Sequence, residues 1–150
     1  MKRILLFNVL IIMLVVAIGC SKEPPPDSFL NANLRIITGI NKDKPGSVDT
    51  ERLRMKAIDL YGAIDRNIKK KYWKKEHENS YTLVVKTGKD PASNMKTTFE
   101  FTVARVPNFK EDVVVRGIVI NGRTISSNEI IGMMRMLDQA KTGGSARPTQ

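Results

Sequence analysis

From Thr98 to Val103 apolar and polar residues alternate strictly, with Phe99, Phe101 and Val103 on one side of an extended chain and Thr98, Glu100 and Thr102 on the other. This period of two predicts a strand with one apolar and one wet face, so helices should cover only the apolar side. Tyr81 to Lys86 predicts another strand, and Thr87 to Asn94, with Gly88 and Pro91, the loop after it. Val113 to Ile120 is almost continuously apolar, as a central strand would be. Asn121-Gly122 supplies the positive φ angles of a tight hairpin into a return strand at Arg123 to Ile125. Ser126 and Glu129 have the spacing of a capping box. A helix then follows, with Ile130, Met133, Met134, Leu137 and Ala140 at helical period, and Gly143-Gly144-Ser145 ends it.

Earlier in the chain the apolar spacing changes. Lys44-Pro45-Gly46-Ser47 predicts a turn and a helix N-cap, with Asp49 and Glu51 where the helix dipole favours acids. Leu53, Ala57, Leu60, Tyr61, Ile64, Ile68 and Tyr72 then recur at three, four and one, which predicts a helix from about Val48 to Tyr72. Leu34 to Ile40 is β-rich in composition and reads either as a short strand or as a loop that plugs the core. The expected fold is α+β: a small antiparallel sheet of three to four strands with two helices on one face, in the order helix, strands, helix, over residues 34–142.

The first twenty residues follow another rule. Lys2 and Arg3 precede an uncharged run from Ile4 to Ile18, which ends in Ala17-Ile18-Gly19-Cys20. At 15 residues the run is shorter than the roughly 20 that cross a bilayer, so it fits the apolar region of a cleaved export signal. Residues 1–20 resemble the lipobox signal of bacterial lipoproteins, with Ala17 where leucine is most often found. The resemblance implies cleavage after residue 19, transfer of a diacylglyceryl group to the Cys20 sulfur, and attachment by fatty acyl chains such as palmitate. It also implies an exported protein anchored to a bacterial membrane, the outer membrane if the host is Gram-negative, because Ser21 rather than aspartate follows the cysteine. Each buried methylene strengthens such an anchor by ~0.8 kcal/mol. Residues 20–33, with Pro24-Pro25-Pro26, predict an extended tether able to hold the domain up to ~40 Å from the bilayer. Residues 143–150 predict a solvated tail.

Charge narrows the partners. The chain has 25 Lys and Arg against 15 Asp and Glu, and the expected loss of Lys2 and Arg3 leaves a net charge of +8. That balance favours lipid headgroups, envelope polymers or an acidic protein face; nucleic acid is not expected in the compartment the signal reaches. Cys20 is the only cysteine, so no intramolecular disulfide forms. His77 is the only histidine and has no second histidine or free cysteine to complete a metal site. No serine sits in a nucleophile turn, and no carboxylate pair stands out. Gly117 and Gly122 belong to a strand and a turn rather than to a phosphate loop. No catalytic residue, metal ligand or cofactor is assigned.

The residues that point to a partner are Arg66, Lys69, Lys70, Trp73, Lys74 and Lys75, with Lys71 among them, in one ten-residue run. On a helix Trp73 would lie near Arg66 and Lys70, opposite the core stripe, and an aromatic ring among cations suits a membrane interface. The alternative is a frayed helix end, where the ring folds over the core edge and the lysines favour the helix C-terminus. Met133, Met134 and Met136 read either as a flexible groove or as core packing. Three functions follow. The first is a non-enzymatic binding or assembly factor for an acidic envelope partner; the second, a direct binder of anionic lipid or cell-wall polymer; the third, a periplasmic hydrolase or an enzyme inhibitor. A deep pocket of carboxylates around His77 or Ser80 would favour the hydrolase, and a protruding convex loop the inhibitor.

Overall fold

The computed structural model describes residues 23–64 and 67–143. Residues 1–19, Cys20, Arg66 and residues 144–150 lie outside the described residues. The strands are β1 (Asn33–Ile40), β2 (Val48–Lys56), β3 (Ile68–His77), β4 (Ser80–Thr87), β5 (Thr98–Arg105), β6 (Asp112–Ile120) and β7 (Arg123–Thr124). The helices are α1 (Asp27–Leu30), a 3-10 turn (Ala57–Asp59) running into α2 (Leu60–Ile64), and α3 (Ser127–Gly143). All seven strands join one sheet in the order β2-β1-β6-β5-β4-β3, with β7 paired to β6. The β1–β6 pair is parallel and the others are antiparallel.

The expected small antiparallel sheet with two helices is therefore overturned: the domain is mostly β, and the helix expected over Val48 to Tyr72 does not form. Two strands and a short helical turn occupy that stretch. Arg52-Leu53-Arg54-Met55-Lys56-Ala57 alternates with period two, and Leu53, Met55 and Ala57 are buried while Arg52, Arg54 and Lys56 are exposed. The apparent helical stripe arose because β2, the turn and β3 contribute one, four and two apolar residues at spacings that concatenate into threes and fours. Tyr72 does not join the stripe, since its neighbour Trp73 takes the core side. Lysine and arginine have low strand propensity, but β2 and β3 are the sheet's edges, where such residues are common.

One face of the sheet carries the core. Leu34, Ile36, Phe101, Val103 and Val115 pack beneath Met134 and Leu137 of α3. Burial of each such side chain stabilises the fold by about 1.5–3 kcal/mol. The strand alternation holds, with Phe101 and Val103 at 0% exposure. The apolar run of β6 has a further cause. Thr102 pairs with Gly117 and Val103 with Val115, so Arg116 is an extra residue in a bulge. Val113 and Val115 before the bulge and Ile118 and Ile120 after it thus all face the core.

The C-terminal turn and cap form as their residues dictate. Asn121 and Gly122 have φ of 51° and 81°, which makes the tight hairpin. The Ser126 backbone N–H and hydroxyl both donate to Glu129 Oε2, at 2.7 and 2.8 Å, and close the capping box. Those bonds hold the Glu129 carboxyl below its usual pKa. Of the three methionines, Met134 is buried in the core and Met136 is exposed.

The segment expected as a tether is folded from Glu23 onward. Pro25 and Phe29 are buried, and α1 places the Phe29 ring edge-on to Trp73 at 6.2 Å and to Tyr81 at 4.8 Å. The apolar content of Phe29, Leu30 and Ala32 outweighs the extended preference of the three prolines. Arg105 Nη2 donates to the Ser28 carbonyl at 3.0 Å, and the Ala57 N–H to the Ala32 carbonyl at 3.0 Å. These contacts lay the segment beneath one end of the sheet, from β3 to β1.

Candidate anion-binding surface on the edge strand β3

The cationic run lies on a strand, and this redistributes its side chains. Pairing with β4 sets Trp73 opposite Leu83, and Lys71 and Lys75 opposite Val85 and Tyr81, on the core side. Lys70, Tyr72 and Lys74 face the other way, and a register shift between Ile68 and Lys70 puts Lys69 at a bulge. The shift also turns Ile68 onto the core. Trp73 therefore does not stand beside Lys70 on a solvent-facing helix surface; its ring is half-buried against Phe29 at the core rim. Lys70 and Lys74 do share one face, and Lys75 lies on the other with Trp73.

Partners differ along the strand. Lys75 Nζ lies 3.1 Å from Glu23 Oε2, and this hydrogen bond raises the ammonium above its ordinary pKa. Lys74 Nζ meets Glu100 Oε2 at 3.7 Å, a reach across β4, which separates the two strands. Lys70 Nζ sits 5.4 Å from the Tyr72 ring centroid. Lys69 is exposed and, like Lys70, meets no carboxylate among the described residues.

The face opposite the core holds features that sequence reasoning missed. Asp112, 6% exposed, is a hub: its carboxylate takes Arg35 Nε at 2.7 Å and Arg52 Nη2 at 3.0 Å. Arg35 also donates to Thr50 Oγ1 at 2.9 Å, and its guanidinium lies 4.2 Å from the Phe109 ring centroid. The alternation Arg52-Leu53-Arg54-Met55 was the signal for an arginine-bearing strand. Nothing local in the sequence marks Asp112 as the partner, because its arginines are 77 and 60 residues away. Thr82, Val84, Ala104 and Val114 are buried on this face too, so its centre is drier than the alternation predicts.

A cleft of about 670 Å³ opens where the β3–β4 turn meets the β5–β6 loop, lined by His77, Glu78, Ser80, Arg105, Lys110 and Arg116 among others. It carries one carboxylate, that of Glu78, and His77 and Ser80 meet as ladder partners, with no side-chain hydrogen bond between them among the described residues. Among the described residues no group of three or more His, Cys, Asp or Glu is placed to hold a metal ion. Arg105 is committed to structure, since it ties the Ser28 and Lys110 carbonyls. The cleft therefore assembles cations but no nucleophile–base pair.

No family model, no curated protein and no solved structure matches this chain.

Proposed function

We propose that this chain is an exported lipoprotein, anchored to a bacterial membrane through Cys20, which acts without catalysis as a binding or assembly factor for an anionic partner. The observation that carries this reading is the cationic edge of the sheet: β3 holds five lysines in ten residues, and Lys69 and Lys70 meet no carboxylate among the described residues. Clustered exposed cations raise the local concentration of anionic surfaces and speed association with them. The signal of residues 1–20 supports the anchor, and the surplus of cations over acids supports the charge of the partner.

Two measurements test it. Labelling with a radioactive fatty acid should mark the wild-type chain and leave Cys20→Ser unmarked, with the variant released from membranes or held as an uncleaved precursor. Capture of solubilised envelope components by the purified chain should weaken as salt rises. Normal cleavage and full membrane retention of Cys20→Ser would sink the lipoprotein reading, and salt-independent capture would sink the charge reading.

A further inference from the structure

The folded N-terminal segment fixes where an anchor at Cys20 must leave the domain. Glu23 is bonded to Lys75 of β3, Pro25 is buried, and Phe29 is locked against Trp73 and Tyr81. Only Ser21 and Lys22 stand between Cys20 and Glu23. Three Cα-to-Cα steps span at most about 11 Å, against the ~40 Å of a free tether. That distance is comparable to the ~8 Å over which physiological salt screens charge, so the field of anionic headgroups still reaches the Lys75 end of β3, to which Glu23 is bonded.

The strand suits such a surface. β3 pairs with β4 on one side, and among the described residues no strand pairs with its other edge. Lysine stems are long enough for ammonium groups on both faces to bend around that edge toward one plane. Lysines on a free edge also discourage pairing with a further strand, which disfavours a peptide as the occupant.

We propose that the free edge of β3 docks on the same leaflet that holds the anchor, with Lys69 and Lys70 against the phosphates of anionic phospholipid headgroups and Lys74 joining them by exchanging its 3.7 Å contact with Glu100 for a headgroup. This rests on the lipid-anchor reading and names the anionic partner within it. The domain then lies edge-on to the bilayer. Its opposite edge, β2, and the hairpin tip at Ile40 and Val48 are left facing away.

The test uses the chain from Cys20 to Gln150, which keeps every described residue. Its only thiol is coupled to a maleimide-bearing lipid in vesicles of phosphatidylcholine, with or without phosphatidylglycerol. Coupling sets the attachment chemically, so the result does not depend on acylation in the cell, which the fatty-acid label scores separately. Trp73, the only tryptophan, reports approach to a headgroup spin label through quenching. Quenching should be strong with phosphatidylglycerol, weak without it, and reduced by salt. Lys69→Gln, Lys70→Gln and Lys74→Gln together should bring it to the level of the neutral vesicles, each lysine contributing about fivefold in contact population. Lys42→Gln, Lys44→Gln and Arg54→Gln, the same charge change on the exposed β1–β2 turn and β2, should have little effect. Equal losses in the two triple variants would show net charge alone and overturn the proposal. So would equal quenching in both vesicle types, or unchanged quenching when the three β3 lysines are replaced. Cooperative melting of each variant confirms that it is folded.

Discussion

At the β2 edge the charges are tied into the fold. Arg52 reaches the buried Asp112, Glu51 pairs with Arg135 of α3 at 3.1 Å, and Asp138 of α3 accepts the Met55 N–H at 2.8 Å. Lys141 closes the same side onto Asp59. At the β3 edge the N-terminal segment holds on through Glu23 and Phe29, Lys74 reaches Glu100, and Lys69 and Lys70 are exposed. The two edges thus differ both in balance, three cations against two acids on β2 and five lysines against one acid on β3, and in what the charge does. The long helix closes one by ion pairs, and the other remains open to an anionic surface.

The largest test of that difference is Phe29→Ala. Phe29 is 1% exposed, and truncating a buried phenylalanine costs about 3–5 kcal/mol. Denaturant midpoints should fall accordingly, and amide exchange should accelerate in β3 more than in β2, because only β3 loses its clamp. Equal loosening of both edges would break the comparison.

Asp112→Asn probes the other edge. It leaves Arg35 and Arg52 without their shared carboxylate. The Arg52 side chain is 52% exposed and recovers hydration, which brings the cost below that of a fully buried pair, to about 1–3 kcal/mol. Exchange should now accelerate in β1 and β2 and leave β3 nearly unchanged. A stability loss spread evenly over the sheet would mean that the hub is not specific to the β2 side.

What the sequence revealed follows from where each signal is local. Ser126 and Glu129 are three residues apart, Asn121 and Gly122 are adjacent, and Phe99 to Val103 alternate within one strand; each of these needs nothing beyond its neighbours. The edges are different. The lysines of β3 and the arginines of β2 have poor strand propensity, and only the pairing with β4 and β1 makes strands of them. The docking of the proline-rich segment was equally hidden, because Phe29 finds its ring partners 44 and 52 positions away, at Trp73 and Tyr81. The cationic residues were legible as a group, but whether they faced one way depended on a period that the helix reading had wrong.

Acid should weaken the β2 edge through Glu51. The Arg135 hydrogen bond is the main effect that holds the Glu51 carboxyl below its usual value of 4.5; burial opposes it, and the Arg135 charge adds a smaller lowering. A carboxyl lowered on folding stabilises the protein fully above its unfolded pKa, and that share is lost as pH falls through the folded value. Melting curves from neutral pH downward should therefore show Glu51→Gln less stable than wild type near pH 7, with the two converging as pH falls below the usual carboxyl value and through the lower folded one. The pair is exposed, so the gap should also shrink in salt. A gap that persists at low pH would assign the effect to packing instead.

The smallest effect expected is on stability at β3, and its smallness sharpens the comparison. Lys69 forms no pair among the described residues, and the Lys70 contact with the Tyr72 ring, at 5.4 Å, is exposed and screened. Lys69→Gln with Lys70→Gln should shift the unfolding free energy by no more than about 0.5 kcal/mol. The change should appear elsewhere. A free edge that loses its charges presents unpaired backbone groups without repulsion, so the variant should self-associate more readily as concentration rises, as sedimentation would detect. A marked fall in melting temperature, with no change in association, would mean that these lysines hold the strand in place. They would then be structural cations of the kind found at β2, and the β3 edge would no longer be the open one.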